Sequence, residues 1–330
     1  MMCIVKLSVI VPIYNSELYL ADCLESLVHQ NFKDGEYEVI CVNDGSQDSS
    51  LEIIRDYERK YPFVRCYSKK NEGIAATRNL GLKMARGRYI TFVDSDDYIV
   101  AESLEKLVNE MERRDVTLLT FGYQCIGETE HYCNEKISKV EFVLSKVTSD
   151  QAPFQVWGMV YSREVINRFS FSHKFRTRED YIFNFFVYAS NEGQTLLKTD
   201  EKIYRYRMRQ GSLSHTMDYR SDAFQRERVQ DMMNYVDECL TFIELLDNAS
   251  TRKIVLDKTR YFAATALLAA LRSKTVDAKM IQVGLKERKV YPAKLTSIHN
   301  VSTAVKMCIT SPPIFFVLDR LGVLRKKTIE

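Results

Sequence analysis

The stretch GRYITFVDSDDY, residues 87–98, decides the fold of this 330-residue chain. Its β-branched and aromatic residues 89–93 predict a buried strand. Three carboxylates, Asp94, Asp96 and Asp97, follow that strand directly. Clustered buried anions are costly unless paired, and Mg²⁺ or Mn²⁺, which prefers carboxylate and phosphate oxygens, relieves the cost. A solvated acidic turn before a helix explains the same residues, so the stretch alone leaves both interpretations open.

Strand and helix patterns alternate upstream of this stretch. Apolar runs typical of strands buried on both faces occupy residues 6–13, 37–42 and 64–67, and a helical pattern follows each of them. With the strand at 89–93, the order is β-α-β-α-β-α-β. This order predicts an α/β fold built on a doubly wound, mostly parallel sheet.

Polar residues stand at three of the predicted strand ends. Tyr14 and Asn15 follow the first strand, Asn43 and Asp44 follow the second, and the cluster beginning at Asp94 follows the fourth. Ligands of open α/β sheets bind beyond the carboxyl ends of the strands. We therefore expect these side chains at one edge of the sheet, although capping of the next helix also explains Asp44.

The pattern changes about two thirds of the way along the chain. Before that point, a predicted strand at 156–161 carries the only tryptophan, and the acids Glu179 and Asp180 precede an aromatic run that predicts a buried helix. After it, the pattern is helical. We predict a sheet domain over residues 1–218 and a helical domain over 219–330.

Composition narrows the class of protein. A formal net charge of +3 gives no strong attraction to nucleic acid. The eight cysteines include no C-x-x-C pair, which indicates reduced thiols. The N-terminal segment lacks the basic region of a signal peptide, and the longest apolar run falls short of the roughly 20 residues of a membrane span. Together these features predict a cytoplasmic location.

Several catalytic signatures are absent from the sequence, namely G-x-G-x-x-G, the P-loop, H-E-x-x-H and G-x-S-x-G. Their absence weighs against dinucleotide-binding, nucleotidase, zinc-protease and serine-hydrolase chemistry. Cys125, His131 and Cys133 lie close together. Their spacing fits no common zinc site, and a polar hairpin explains them better.

The chain instead carries acids and arginines on several separate elements. Asp44 suits contact with a nucleoside, the cluster after the fourth strand suits a metal, and Asp180 comes from a later element. Arg207 and Arg209 follow. This combination suits transfer from a nucleoside diphosphate, because a metal and arginines neutralise the leaving diphosphate and a separate acid takes a proton from an incoming hydroxyl.

Five segments, in this order, resemble the inverting family-2 glycosyltransferases of the GT-A fold, the type of bacterial polysaccharide synthesis. They are LSVIVPIYN (7–15), EVICVNDGSQDSS (38–50), NEGIAATRNLGLKMARGRYITFVDSDD (71–97), RED (178–180) and YRMRQGSLSH (206–215). The resemblance implies a metal-dependent hexosyl- or N-acetylhexosaminyl-transferase, using Mn²⁺ or Mg²⁺ and a nucleotide sugar, typically a UDP-sugar. Nothing comparable covers residues 220–330.

The same resemblance implies roles for single residues. Asp180 is the general base, Asp96 the direct metal ligand, and Asp94 the contact to the ribose or a metal-bound water. Asp44 hydrogen-bonds the base. The other candidate ligands are Pro12, Tyr14, Asn15 and Arg78 at the nucleotide pocket, Arg207 and Arg209 at the diphosphate, and His215 as a third metal ligand. Solvation of charged strand ends also explains the two arginines, and a lone loop histidine is more often without a ligand role.

The sequence departs from the family pattern at two points. Asn43 stands where relatives often have an acid, and Met159 where many have a lysine. A catalytically inactive nucleotide-sugar-binding module of a polysaccharide assembly complex is the alternative function, although Asp96 and Asp180 argue against it. A sugar-phosphate nucleotidyltransferase is a further alternative, but residues 12–17 lack its glycine-rich basic loop.

Two features have a structural and a functional explanation of similar weight. Trp157 suits a sugar platform and a core position equally well. Residues 312–327 are apolar with a basic end, which fits either a helix docked on its own domain or one lying on an anionic membrane surface. The expected partners are a nucleotide-sugar donor and a glycan or lipid-linked acceptor, with peripheral membrane contact through this tail and no nucleic acid.

Overall fold

The computed structural model describes residues 5–127, 155–175, 178–191, 196–208 and 221–290. The chain divides into two compact units, Met1–Gln210 and Gly211–Glu330. The predicted domain boundary after residue 218 falls outside the described residues and stays a prediction. No helix within the described ranges is long and apolar enough to cross a membrane.

The first unit contains one sheet with the strand order β3-β2-β1-β4-β7-β6-β8-β5 in the described residues. Its strands are β1 Leu7–Ile13, β2 Tyr37–Asn43, β3 Val64–Ser68, β4 Tyr89–Phe92, β5 Tyr98–Ile99, β6 Leu118–Ile126, β7 Met159–Ser162 and β8 Leu196–Arg207. Its helices are α1 Leu20–Val28, α2 Ser50–Lys60, α3 Ile74–Met84, α4 Leu104–Arg114, α5 Arg163–Ile166 and α6 Glu179–Ser190.

The half of the sheet built from β1 to β4 is parallel throughout. Leu7 of β1 lies opposite Tyr37 of β2 on one side and opposite Tyr89 of β4 on the other. Every residue of β1 and β2 is buried, as expected for parallel strands covered by helices on both faces. This confirms the predicted doubly wound α/β arrangement for this part of the chain.

The other half of the sheet mixes directions. β7 pairs antiparallel with β4 and with β6, whereas β8 runs parallel to β6 and antiparallel to β5. The predicted strand at 156–161 is wrong over its first half, because Val156–Gly158 forms a 3₁₀ turn and β7 begins at Met159. That turn sets the indole of Trp157 against the ring of Tyr204 on β8, with 4.5 Å between ring centroids.

The end of the sheet opposite the polar loops is held by one buried carboxylate, Glu38, whose side chain is 1% exposed. Ser8 donates to it over 2.7 Å, Arg65 over 2.8 Å, and Arg86 through its backbone N–H over 2.7 Å and its guanidinium over 2.7 and 2.9 Å. Hydrogen bonds from two strands and from the connection between α3 and β4 therefore satisfy this charge within the protein.

The described residues of the second unit are helical, as predicted. α7 spans Asp222–Glu244, α8 Ala249–Arg272 and α9 Ala278–Glu287. Polar side chains cap the starts, Ser221 for α7, Asn248 for α8 and Asp277 for α9, each accepting a backbone N–H from its first turn. Tyr235 and Phe262 join α7 to α8, with 4.8 Å between ring centroids.

Candidate active site

The loops after β1 and β2 brace each other through reciprocal hydrogen bonds. The backbone N–H of Asn15 donates to Ser46 Oγ over 3.0 Å, and Gln47 N–H donates to Asn15 Oδ1 over 2.8 Å. Asn15 adopts a φ of 49°, a left-handed conformation that asparagine tolerates better than most residues. Pro12 is buried within β1, whereas Tyr14 is 47% exposed, so of these two predicted ligands Tyr14 offers a surface for contact.

Asp44 is 4% exposed, and both of its carboxylate oxygens are bound by the protein. The backbone N–H groups of Glu72 and Gly73 donate to them, each over 2.9 Å, and the Lys69 ammonium forms an ion pair with the same carboxylate. Asp44 thus fixes the chain at the start of α3, rather than capping the helix that follows it in sequence. Its predicted contact with the nucleoside base stays a prediction.

The three acids after β4 differ in their surroundings. Asp94 and Asp96 are partly exposed, whereas Asp97 is 1% exposed. Asp97 Oδ1 accepts the backbone N–H of Arg207 over 2.7 Å, and Asp97 Oδ2 accepts the Tyr204 hydroxyl over 2.7 Å. Burial and the neighbouring charge of Asp94 raise the pKa of Asp97 to about 8. Asp97 therefore fastens β8 to the segment 94–97, called the acid loop, and it is less available to a ligand than the other two acids.

Asp94 and Asp96 have the donor chemistry that a hard divalent cation requires. Burial raises the pKa of Asp94, Arg78 opposes this rise, and the charge of Asp96 adds to it, so a further cation stabilises both carboxylates. The described residues contain no group of three or more His, Cys, Asp or Glu side chains arranged around a metal position. Mg²⁺ commonly takes one or two protein carboxylates plus substrate phosphates, so these two residues fit that mode.

Arg78 joins the acid loop to the start of α6. Its Nη2 lies 3.1 Å from Asp94 Oδ1, and its Nη1 forms an ion pair with Glu179. The side chains of Arg78 and Glu179 are 6% and 7% exposed. Burial opposes the charged form of Arg78, but the charges of Asp94 and Glu179 outweigh burial and raise its pKa. The predicted nucleotide-pocket ligand Arg78 is thus engaged by two carboxylates.

Asp180 stands beside Glu179 in the first turn of α6, where both acids were expected. The backbone N–H of Tyr181 donates to Asp180 Oδ1 over 2.8 Å, and no lysine or arginine among the described residues forms an ion pair with this carboxylate. Burial and the charge of Glu179 raise the pKa of Asp180 to about 7, with Arg78 acting against the rise. A carboxyl group that titrates near neutral pH is suited to accept a proton.

Arg207, the last residue of β8, is held by side chains around α1 and β5. Its guanidinium donates to Asp22 Oδ2 over 2.9 Å and lies 4.9 Å from the ring centroid of Tyr19 and 5.7 Å from that of Tyr98. A role at the diphosphate stays a prediction for this residue. Arg209 and His215 lie outside the described residues, as do His131 and Cys133 of the rejected zinc site.

An aromatic cluster lies behind the acid loop. Trp157 is 8% exposed, stacks on Tyr204 and Tyr206 with centroid distances of 4.5 and 5.6 Å, and meets Tyr123 edge-on at 5.1 Å. These contacts favour the core interpretation of the tryptophan. Met159 is also fully buried, where its sulfur accepts the hydroxyl of Tyr188 over 3.3 Å.

Residues 8–174 match the family model described as glycosyl transferase family 2. The chain therefore belongs to this glycosyltransferase family, as the resemblance predicted. It is 34% identical over 218 residues to the uncharacterized glycosyltransferase EpsJ of Bacillus subtilis, a match covering 63% of this chain and 62% of EpsJ. It is 36% identical over 188 residues to a poly(ribitol-phosphate) beta-glucosyltransferase of Bacillus spizizenii, covering 56% of this chain and 29% of that protein. Each match spans less than two thirds of the relative.

A solved structure shares the fold. The crystal structure of residues 1–349 of TarS from S. aureus in complex with UDP-GlcNAc superposes with a TM-score of 0.60 at 19% identity, covering 96% of this chain and 92% of that one. At this level of identity the likeness concerns the fold, and it confirms the predicted fold class, an α/β sheet followed by helices.

Proposed function

We propose that this chain is a glycosyltransferase that moves a sugar from a nucleotide sugar, a UDP-sugar, to a hydroxyl of a glycan or lipid-linked acceptor. One observation carries the proposal: Arg78 binds Asp94 of the acid loop and Glu179 at the start of α6, beside Asp180. A pair of partly exposed acids and a separate titratable acid are thereby held around one site on different elements.

The donor side of the proposed reaction depends on the acid loop. Asp94 and Asp96 would hold Mn²⁺ or Mg²⁺, which when bound supplies positive charge to the diphosphate leaving group. The exposed ring of Tyr14 is available to border the nucleoside. The fastening of Asp97 to Tyr204 and Arg207 restrains the loop, which reduces the reorganisation of the two acids when the donor binds.

The acceptor side depends on Asp180. As the acceptor hydroxyl oxygen attacks the anomeric carbon, its proton passes to the Asp180 carboxylate, and the bond from the sugar to the diphosphate oxygen breaks. Attack opposite the leaving group inverts the anomeric centre. Asp180 comes from α6 and not from the acid loop, which suits a base across the sugar from the diphosphate.

The relatives support the substrate class. The name of the Bacillus spizizenii relative specifies glucosyl transfer to poly(ribitol-phosphate), and the TarS structure holds UDP-GlcNAc. We therefore propose a UDP-hexose or UDP-N-acetylhexosamine donor and an acceptor of cell-surface polymer synthesis, with the reaction at the cytoplasmic side. Membrane contact through residues 312–327 stays a prediction, tested by liposome flotation of the full chain against a chain truncated after Ile309.

Release of UDP from a panel of UDP-sugars, with Mn²⁺ and with or without a polyol-phosphate or glycan acceptor, tests the proposal. Thermal shift first ranks the donors, because a ligand at 100 times its Kd adds about 2.7 kcal/mol of stability. We expect transfer by the wild type and a loss of about 10²- to 10⁴-fold in Asp180→Asn with UDP affinity retained. UDP-sugar binding without any release would indicate the catalytically inactive module, and no binding of any nucleotide sugar would refute both functions.

A further inference from the structure

Two consecutive residues of helix α3 hold the region around the start of α6: Arg78 contacts its first turn, and Asn79 contacts the segment before it. Arg78 forms the ion pair with Glu179 described above, and its guanidinium lies 5.5 Å from the ring centroid of Phe171. Asn79 exchanges two hydrogen bonds with the backbone of Phe171, Nδ2 to the carbonyl over 2.9 Å and the N–H to Oδ1 over 2.8 Å. The segment before α6 and the first turn of α6 are therefore both fixed to the same helix.

Arg78 also reaches the acid loop, since its second terminal nitrogen binds Asp94. A planar guanidinium holds two carboxylates at a fixed separation, which the single ammonium of a lysine does not. The only part of Arg78 without a partner is Nε, which is buried and unbonded among the described contacts. Both terminal nitrogens of the guanidinium thus bind carboxylates of the protein, and the expected place of Arg78 at the nucleotide pocket does not account for these bonds.

We propose that Arg78 is a positioning residue that holds Glu179 inward and thereby sets the place of Asp180 relative to Asp94. Adjacent residues in a helix do not share a face, so fixing Glu179 against α3 directs its neighbour Asp180 elsewhere. Without the cation, the buried carboxylate of Glu179 and the partly exposed carboxylate of Asp94 lose their common partner and repel each other. The inference rests on the proposed function, because it concerns the distance between Asp94, on the side of the sugar donor, and Asp180, the proposed base.

Three variants distinguish the two ion pairs of Arg78, with Glu179 and with Asp94. Glu179→Gln removes the ion pair of Arg78 with α6 and leaves the ion pair with Asp94 intact. Arg78→Lys keeps the positive charge but loses the two-pronged guanidinium. Arg78→Gln removes both ion pairs. We expect Glu179→Gln to lower kcat by about 10- to 100-fold, because misplacement by about an ångström costs that much. Its KM for the donor and its affinity for UDP with Mn²⁺ should stay within about twofold of the wild type.

A double-variant comparison tests whether Arg78 acts through Glu179. If it does, Glu179→Gln added to Arg78→Lys should lower kcat little further, whereas independent effects multiply. Lys83→Gln, an exposed charge removed from the same helix α3, is the matched control and should keep the wild-type kcat. Amide hydrogen exchange over residues 179–183 gives a reading without substrate, and it should be faster in Glu179→Gln and Arg78→Lys than in Lys83→Gln.

The outcomes are distinguishable. A wild type that transfers sugar, together with a Glu179→Gln variant of unchanged kcat and unchanged exchange, would overturn the positioning role and leave the proposed function standing. A loss of kcat accompanied by an equal loss of UDP affinity in Glu179→Gln would place the action on the donor and also overturn it. A wild type that releases no UDP from any donor would refute the proposed function. The hydrogen-exchange comparison would still test whether the ion pair of Arg78 with Glu179 holds the start of α6.

Discussion

Tyr204 donates its hydroxyl to Asp97 Oδ2 over 2.7 Å, and the same hydroxyl oxygen accepts the backbone N–H of Asp94 over 3.2 Å. The two bonds fix both ends of the acid loop to one fully buried side chain of β8. Asp97 thus has a structural role, which leaves Asp94 and Asp96 as the candidate acids for a ligand.

Tyr204→Phe should weaken the fold at the acid loop. The ring and its stacking on Trp157 remain, but a buried carboxylate and a backbone N–H each lose a partner, which costs about 1–3 kcal/mol of unfolding free energy for each unsatisfied group. Urea unfolding measures the change. Tyr57→Phe is the control, because its hydroxyl bonds Glu25 over 2.9 Å at an exposed position. Equal stability of the two variants would contradict the fastening role.

Asp96→Ala should abolish the effect of Mn²⁺ on UDP binding while leaving the fold intact. Asp96 is partly exposed and lies in the turn between β4 and β5, so its replacement should leave the free energy of unfolding nearly unchanged. Calorimetric titration of UDP with and without Mn²⁺ measures the effect, and Asp56→Ala, on an exposed face of α2, is the control. If Asp96→Ala binds UDP with the wild-type dependence on Mn²⁺, the metal assignment is wrong.

The transfer rate should rise with pH through about 7 in the wild type. Burial and Glu179 raise the pKa of Asp180 to about 7, and only the ionised carboxylate accepts a proton. Asp180→Asn should lose this dependence together with most of the rate. A pH profile of kcat measures it, and a wild-type rate that is flat from pH 5.5 to 8.5 would argue against Asp180 as the base.

The same raised pKa predicts a gain in stability for Asp180→Asn. A carboxyl whose pKa is higher in the folded protein than its ordinary 3.8 holds its proton more tightly when folded, so wild-type stability falls as pH rises from about 4 through 7. Asparagine has no charge to bury, and the variant should be more stable than the wild type at pH 8 but not at pH 4. Thermal unfolding in EDTA measures this, because free metal would mask it.

The stability that Glu38 contributes should depend on pH in the opposite direction, so Glu38→Gln should be most destabilising at neutral pH. Burial alone would raise the pKa of Glu38, but hydrogen bonds from Ser8, Arg86 and Arg65 outweigh it and lower the pKa. The stabilisation is therefore present above the ordinary pKa of about 4.5 and is lost as pH falls below it. We expect a loss of about 3 kcal/mol or more at pH 7 and a smaller difference near pH 3, with kcat unchanged. A difference that does not change with pH would contradict this assignment.

The sequence predicted the parallel half of the sheet well because its strands are continuous apolar runs with local helical crossovers. It did not predict β5, a two-residue strand whose partner β8 is about a hundred residues away. The candidate site shows the same difference between features that are local in sequence and features that are not. The acids were visible in their spacing, but the fastening of Asp97 by Tyr204 and the pairing of Arg78 with Glu179 join positions that no local pattern connects.

The pairing of β5 with β8 has a consequence for the order in which the site forms as the chain is made. The strands β1 to β4 can pair once residues up to about 92 have left the ribosome, since each of these strands has a partner within that segment. The acid loop and β5 have no strand to pair with until Tyr204 and Arg205 emerge from the ribosome. A nascent chain would thus pass through a stage with a formed parallel half of the sheet and an unanchored acid loop, and it would gain its complete candidate site late in translation.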